Sequence, residues 1–481
     1  MNALPTAIIA IPVAAVIFSL VLPSRVGRVV TGIAGVATAA CIGAVVFLTA
    51  NENSHIDALS ALFLIPVGIV YGAVGIYSTW YVRAESIGAD GDERYRREFL
   101  ALTNAFACAE ALVPLLTNMA GLWVTLEVTT IVAALLVRLQ GTDASLEAAW
   151  KYILIASCGL AVGLIGVVVL YASGTSVLGS YYTPDWANYM SVATKLDVDA
   201  VRLAFLLALI GFGTKMGLAP MHTWLPDAHG AGPTPTSAML SGVLLSDALY
   251  IITRFASITN AAIGPGMTRH LFFIVGLLSL FVGAFFLLYQ RDIKRMLAYS
   301  SIEHMGIVAC GLAFGARIAV IGALLHVVNH AATKALAFLG AGRLAARFET
   351  RDIAGITGGV AVLPISGTLF ALAGLALAGM PPFGVFRSEL MILSGGFGGS
   401  TWPIAAIVLG LLLVAFAGLV RWTTGVTAGM PPGGVRRGER DIGAIASMLL
   451  AFAVVLGLGL YVPAHLGVLL DRAGDIVGGH P

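Results

Sequence analysis

Apolar stretches of membrane-spanning length recur along almost the whole chain. A bilayer-crossing helix needs about 17–25 apolar residues, and these runs are continuous, unlike the alternating segments of a β-barrel. Only 11% of the 481 residues are charged, against about 25% in ordinary soluble domains. The sequence therefore predicts an all-α polytopic membrane protein with about 14 transmembrane helices. The predicted spans are 4–22, 29–49, 58–82, 99–118, 120–138, 149–171, 201–225, 234–256, 270–289, 296–314, 318–342, 362–395, 402–422 and 442–465.

Loop charges predict the orientation in the cell membrane. Of the 27 lysines and arginines, 18 fall in the odd-numbered loops, and six fall in the termini and the even-numbered loops. Because cytoplasmic loops are enriched in these residues, both termini are predicted on the non-cytoplasmic side. The first span is interpreted as a retained helix and not as a signal peptide. The net charge of +2 gives no indication of a nucleic-acid partner.

The seventh span, 201–225, carries a charge and a break in one helix. Lys215 lies within its apolar run, and Pro220 removes a backbone donor five residues later. A lysine at the centre of a bilayer costs about 2.5–3.5 kcal/mol on insertion scales. Broken helices are tolerated in membranes only where they line a cavity or are buried in protein. This stretch therefore predicts a functional site.

The twelfth span, 362–395, repeats this pattern. It is too long for one straight crossing, breaks at Pro381-Pro382, and carries Glu389 after the break. Two broken helices five spans apart would have opposite orientations, which is typical of two inverted repeats with function near the midplane. The predicted division is three N-terminal helices (1–98), a first repeat (99–256), a second repeat (257–425) and a C-terminal helix (426–481).

Glu127 and Lys215 are predicted to form a charge switch. Glu127 is the only charged residue between Glu110 and Arg138 in an apolar span. A buried lysine holds its proton more tightly when a carboxylate approaches, and releases it when the carboxylate withdraws. The alternative interpretation of each residue is a structural bond between helices.

The eleventh span contains a row of three protonatable groups. His326, His330 and Lys334 are spaced i, i+4 and i+8, so they share one helix face about 12 Å long. Such a row is a candidate proton wire. A metal held by the two histidines would need a third ligand, and the sequence indicates none, so no metal site is predicted.

Further ionisable residues are candidates for proton relay or uptake. Each also has a structural alternative, such as a helix cap, a satisfied core histidine or a salt bridge between Glu389 and Arg387. These additional candidates are Glu110, His222, Asp227, His229, Asp247, Glu303 and His304.

No cofactor chemistry is predicted in this chain. The four cysteines all fall in predicted spans, and no two have the spacing of a metal motif. They are interpreted as small buried hydrophobic residues.

Three motifs carry a resemblance to a known family. The stretch GFGTKMGLAPMHTWLPDAHGAGPTPTSAML resembles the antiporter-like, proton-conducting subunits of respiratory complex I, multisubunit sodium/proton antiporters and membrane-bound hydrogenases. YSSIEHMGIV and FRSELMIL are most similar to the hydrogenase-4/formate hydrogenlyase component F branch. The resemblance covers roughly residues 55–425.

The resemblance implies fourteen helices, two inverted five-helix repeats and a row of hydrated charges along the membrane midplane. One departure stands out: many relatives carry a lysine in the eighth helix, where LLSDALY places Ser246, with Asp247 adjacent. By motif match, the implied translocation residues are Glu127, Lys215, His326, His330, Lys334 and Glu389.

The resulting hypothesis is a proton-translocating membrane subunit of a redox-driven complex. Its partners would be other membrane-arm subunits and soluble redox subunits holding iron–sulfur clusters and a metal or flavin centre. A sodium/proton antiporter module, a structural subunit without transport, and a membrane partner in inorganic-carbon uptake are the alternatives. The sequence leaves the transported ion open between proton and sodium.

Overall fold

The computed structural model describes residues 3–84, 93–179 and 182–478, and it contains helices and no β-strands within those ranges. Thirteen helical stretches in this part are long and apolar enough to cross a membrane. The helices are α1 (Ala3–Val21), α2 (Ser24–Ala50), α3 (Ala58–Ala84), α4 (Glu93–Leu115), α5 (Met119–Arg138), α6 (Asp143–Leu178), α7 (Trp186–Val192), α8 (Val198–Met216), α9 (Trp224–Ala231), α10 (Thr234–Met239), α11 (Leu245–Ile263), α12 (Gly266–Leu287), α13 (Ile293–Phe314), α14 (Arg317–Phe348), α15 (Gly359–Val362), α16 (Pro364–Leu377), α17 (Gly384–Phe397), α18 (Trp402–Thr427), α19 (Ile442–Leu460) and α20 (Ala464–Val477).

The predicted fold class is confirmed. Helices α16 and α17, of 14 residues each, form one further crossing that is broken in the middle, which brings the crossings to the predicted fourteen. Between α10 and α11 the chain continues as a π-helical segment, Leu240–Leu244. Helix α6 runs for 36 residues and is longer than predicted. Helix α20 had not been predicted. The residue boundaries of the two repeats stay a prediction.

Polar caps begin several of the helices after the turns. The Asn118 side chain accepts from the N–H groups of Ala120 and Gly121, and the Asp292 side chain caps α13 in the same way. Such side chains satisfy backbone donors that a helix start leaves without an intrahelical partner.

The first broken crossing consists of α8 and α9. Helix α8 ends at Gly217, whose φ of +78° only glycine adopts without strain. The Trp224 indole N–H donates to the Thr214 carbonyl at 2.8 Å, so a carbonyl freed by the break keeps a partner. The N–H of Ala219 donates to the Ser279 hydroxyl at 2.9 Å. Backbone groups on both sides of the break thus keep hydrogen-bond partners inside the protein, as a membrane interior requires.

The second broken crossing, α16 and α17, has the same design. Gly379, with φ of +68°, follows the end of α16, and Met380 donates back to the Leu375 carbonyl at 3.1 Å. On the far side, the Asn329 amide donates to the Gly384 carbonyl at 2.7 Å. Both predicted breaks are thus present, each after a glycine and next to a proline.

The core consists of the helices that carry most of the charged candidates. The stretch Thr234–Ile263 is buried except at its last four residues, and Ile293–Phe314 and Arg317–Phe348 are mostly buried. Helices α1, α12 and α18 instead expose many large apolar side chains on the outside. Apolar side chains are favourable in lipid, whereas ionisable groups are costly there. This layout therefore keeps the ionisable groups in the core and away from lipid.

Candidate functional site

Lys215 lies in a cradle of oxygen atoms one residue before the end of α8. The side chain is fully buried. Its ammonium donates to the Thr130 hydroxyl at 2.5 Å, to the Tyr152 hydroxyl at 2.8 Å and to the Leu126 carbonyl at 3.4 Å. An ammonium has three protons, so each has a partner. The Tyr152 ring, 5.1 Å from the ammonium, adds a cation–π contact.

Glu127 acts on Lys215 without forming an ion pair with it. Its Oε1 accepts a hydrogen bond from the Ser157 hydroxyl at 2.6 Å, and its Oε2 has no hydrogen-bond partner among the described residues. Its charge nevertheless interacts with Lys215. Exchanging one hydroxyl partner of Lys215 for Glu127 would create a direct ion pair.

Two further carboxyl groups face the same region. Glu110 on α4 and Asp247 on α11 are fully buried, and both lie within electrostatic reach of Lys215. All four of their carboxyl oxygens lack a hydrogen-bond partner within residues 3–84, 93–179 and 182–478. A buried carboxyl without a protein partner is stable only when it is protonated or hydrated. Both groups are therefore suited to holding a proton.

Ser246, which the motif match aligns with the eighth-helix lysine of many relatives, carries no charge. It follows the π-helical segment, and its hydroxyl donates to the Gly242 carbonyl of its own helix at 3.3 Å. Serine hydroxyls in apolar helices commonly bond in this way. The serine therefore does not replace the lysine chemically.

A directed hydrogen-bond chain runs through His304, His326 and Ser388 on the other side of the core. The Ser388 hydroxyl donates to the Val385 carbonyl at 2.9 Å, so it accepts from Nδ1–H of His326 at 3.0 Å. Nε2 of His326 then accepts from Nδ1–H of His304 at 2.9 Å. Nε2 of His304 is left as a bare lone pair, 3.6 Å from Oε2 of Glu303. It has no hydrogen-bond partner in the described part of the chain.

Lys334 has a cradle like that of Lys215. Its ammonium donates to the Leu297 carbonyl at 2.8 Å and to the Ser300 hydroxyl, both on α13. Helices α5 and α13 are the fifth and tenth crossings, so the two lysines bind equivalent helices of the two repeats. The Glu303 carboxylate acts on Lys334 through its charge.

His330 is close to His304 and completes the row predicted on α14. The two ring centroids are 5.4 Å apart. Neither nitrogen of His330 has a hydrogen-bond partner among the residues that the structure describes. The three predicted groups of α14 are all fully buried.

Glu389 rests against the break of the twelfth crossing. A Cβ atom at Gly379 would lie 2.2 Å from its Oε2, so only glycine leaves room for this carboxylate. In the described segments Glu389 forms no salt bridge with Arg387. One carboxylate oxygen of Glu389 and one ring nitrogen each of His304 and His326 lie within 4.8 Å of one another, a spacing from which small side-chain movements could bring them to one metal ion.

His229 lies between the two lysine clusters. It is fully buried, between Trp224 and Phe338, at ring-centroid distances of 6.2 and 5.6 Å. Its Nδ1–H donates to the Leu225 carbonyl at 2.8 Å, which leaves Nε2 as an acceptor without a partner in the described residues. The charge of Lys334 acts on it.

Asp227 and His222 are placed nearer the surface than the other candidates. Asp227 forms salt bridges with Lys151, at 3.2 Å, and with Arg295. His222 is partly exposed. A neighbouring cavity of about 530 Å³ reaches Gly232, which follows α9, and contains Lys294. The two cations beside Asp227 favour its charged form.

The chain is similar to known membrane proteins of one family. Residues 117–414 match the family described as NADH:quinone oxidoreductase/Mrp antiporter, TM. The chain belongs to this family. A hydrogenase-4 component F homolog of Methylacidiphilum infernorum is 34% identical over 416 residues, which are 85% of this chain and 86% of the relative. NADH-quinone oxidoreductase subunit N of Desulforudis audaxviator is 31% identical over 351 residues, or 71% of this chain and 68% of that protein.

Solved structures of family members share the fold. A chain of the archaeal membrane-bound sulfane sulfur reductase superposes with a TM-score of 0.86 at 23% identity, covering 98% of this chain and 97% of its own. A chain of respiratory complex I from Thermus thermophilus gives 0.82 at 21% identity, covering 99% and 100%. Both structures are multisubunit membrane complexes, so the fold is one that assembles with other subunits. The resemblance stated from the motifs is confirmed.

Several residues of the candidate site were not predicted from the sequence. Thr130, Tyr152, Ser157, Ser300 and Ser388 hydrogen-bond directly to the predicted ionisable groups. Hydroxyl side chains in apolar helices usually bond to their own backbone, so their positions alone do not mark a site. A tyrosine within the apolar run of α6 was the clearest available signal, because a buried tyrosine hydroxyl usually needs a partner.

Proposed function

We propose that this chain is a proton-translocating membrane subunit of a redox-driven complex. One observation carries the proposal: two buried lysines in equivalent oxygen cradles, each accompanied by carboxyl or imidazole groups with unused hydrogen-bonding capacity. Buried ionisable groups are expensive in a membrane, and they are retained there chiefly for ion or proton pathways. Family relatives named as subunits of hydrogenase-4 and NADH-quinone oxidoreductase support the same function.

The proposed route passes from the Lys215 cluster through His229 to the cluster of His330 and Lys334. His229 presents an unused Nε2 between them and lies within electrostatic reach of Lys334 and His330. The route thereby contains a titratable group even though Ser246 is uncharged. Protons then leave by way of His304, His326 and Glu389.

Transport is proposed to begin with the movement of Glu127 relative to Lys215. In the present arrangement the lysine is held by hydroxyls and a carbonyl, and the carboxylate by Ser157. Bringing the charges together stabilises both, and separating them favours proton release from the lysine. Redox chemistry in partner subunits would drive this exchange.

The proposed partners are other membrane-arm subunits and soluble redox subunits with iron–sulfur clusters and a metal or flavin centre. The proposed location is the cell membrane, with both termini on the non-cytoplasmic side. A cation/proton antiporter module is the second candidate, because a chain of an Mrp complex from Dietzia has the same fold, with a TM-score of 0.80 at 19% identity. That module would use the same residues and require sodium.

Proton movement in membrane vesicles that contain the intact complex tests this function. A pH-sensitive dye would be read in sodium-free and sodium-containing buffer for wild type, Glu127→Gln and the matched surface variant Glu147→Gln. We expect equal signals in both buffers, a strong loss in Glu127→Gln and none in Glu147→Gln. A signal that needs sodium would support the antiporter module. Full activity in Glu127→Gln would support a structural subunit.

A second comparison tests the link through His229. We expect His229→Leu to reduce proton translocation severely while assembly on a native gel is unchanged. The control His55→Leu alters an exposed loop histidine and should translocate normally. If His229→Leu translocates protons at the wild-type rate, the route does not pass through this residue.

A further inference from the structure

We propose that His304, His326 and Glu389 form a binding site for a divalent transition-metal ion of the zinc class. One ligand atom from each residue lies within 4.8 Å of the other two. Two histidines and a glutamate are a ligand set that binds zinc in proteins. The three residues come from α13, α14 and α17, which explains why the sequence, with His326 and His330 in view, indicated no third ligand.

The distance between the imidazoles is close to what a metal needs. Nδ1 of His304 and Nε2 of His326 are 2.9 Å apart. Two nitrogens bound tetrahedrally to zinc at about 2.0–2.1 Å are about 3.3 Å apart. The rings would therefore separate by a few tenths of an ångström, and the ion would take the place of the hydrogen bond between them.

The two histidine ligands already have groups in place that can accept a hydrogen bond from their second ring nitrogen. Nδ1–H of His326 donates to Ser388, which fixes the ring with Nε2 facing the site. When the ion binds Nδ1 of His304, the proton of that nitrogen moves to Nε2, which faces Oε2 of Glu303 at 3.6 Å. That oxygen has no hydrogen-bond partner in the described residues. Metal-bound histidines typically donate their second N–H to such a partner.

Charge also fits a divalent cation. The Glu389 and Glu303 carboxylates together balance two positive charges. Both histidines are fully buried. Imidazole ligands disfavour Mg²⁺ and Ca²⁺, which prefer oxygen.

An occupied site would interrupt the proposed proton route, because the ion uses the ring nitrogens that pass the proton. Binding itself rests on the geometry, and the block rests on the proposed function. Zinc binding without inhibition of transport would therefore contradict the route through His304 and His326, and it would leave the site intact. Normal transport with no zinc binding would contradict the site alone.

The binding test uses the full chain purified in detergent and equilibrated with Zn²⁺ or Mg²⁺, followed by elemental analysis. We expect one tightly bound zinc and no magnesium in wild type and in the surface control His270→Gln. Glu389→Gln and His326→Gln should lose the zinc. Ser388→Ala should bind zinc about 10- to 100-fold more weakly, as is typical when a supporting hydrogen bond is removed. X-ray absorption would show nitrogen ligands near 2.0–2.1 Å.

Two results would overturn the proposal. One is a wild-type chain with no zinc beyond the background of the triple variant His304→Gln, His326→Gln, Glu389→Gln. The other is zinc that stays bound in both Glu389→Gln and His326→Gln. Melting temperatures of all variants, compared with wild type, separate loss of a ligand from loss of the fold.

Discussion

Removing the Tyr152 hydroxyl isolates one contribution to the Lys215 cradle. The change Tyr152→Phe keeps the ring that contacts the ammonium at 5.1 Å and deletes the hydrogen bond of 2.8 Å. A hydrogen bond to a charged group contributes about 1.5–3 kcal/mol, which corresponds to roughly 10- to 150-fold in the balance between charged and neutral lysine. We expect proton translocation to fall by about an order of magnitude or more.

The assay is dye-monitored proton translocation in vesicles, normalised to the amount of assembled complex. Tyr189→Phe is the matched control, because it also removes a buried hydroxyl, whose hydrogen bond of 2.9 Å joins it to Tyr182 and not to a charge. The control should translocate protons at close to the wild-type rate. Equal rates for Tyr152→Phe, Tyr189→Phe and wild type would refute the idea that the cradle sets the charge of Lys215.

Two further changes test the second broken crossing and the loop between α18 and α19, which contacts the start of α16. Gly379→Ala should lower the free energy of unfolding by about 1–2 kcal/mol or more, because alanine disfavours the left-handed backbone at this position. The added Cβ should also displace the Glu389 carboxylate, so both the melting temperature and proton translocation should fall. In the control Gly410→Ala the added Cβ meets no other atom, so neither should change. Burial alone would raise the pKa of Glu439, but hydrogen bonds from Ser366 and its neighbours hold it below the usual value. The stabilisation that the Glu439 carboxylate gives is therefore present above about pH 4.3 and is lost as the solution becomes more acidic. The difference between the melting temperatures at pH 7 and pH 4 should therefore be smaller in Glu439→Gln than in wild type. An unchanged difference would contradict this role for the carboxylate.

The sequence predicted the fold in detail because lipid leaves few choices. Continuous apolar runs must form helices, and the charges of the loops and the two proline breaks divide them. Pro220 and the pair Pro381-Pro382 marked both interruptions, which lie where the structure has them. Helix α20 escaped because it is amphipathic and short, so it gives no apolar run. Its position on the protein comes from tertiary contacts such as the salt bridge between Arg317 and Asp471.

The sequence predicted which ionisable residues belong to the candidate site but not which contacts they form. The sequence of a single helix shows that a lysine lies in an apolar run. The partner of that lysine depends on how a second helix is rotated about its axis. Glu127 illustrates this limit, because its carboxylate bonds to Ser157 while Lys215 takes neutral oxygens. The contact between His304 and His326 likewise depends on the register of α13 against α14. Residue spacing along one helix does not predict that register.

Proton translocation by the intact complex in vesicles, compared between Lys215→Ala and Lys195→Ala, tests the central claim most directly. Lys195 is an exposed lysine of the loop before α8, so the two variants remove the same chemical group from the surface and from the core. We predict that both variants assemble, that Lys195→Ala translocates protons normally, and that Lys215→Ala does not. Normal translocation by an assembled Lys215→Ala complex would contradict the account and show that the buried charges are structural.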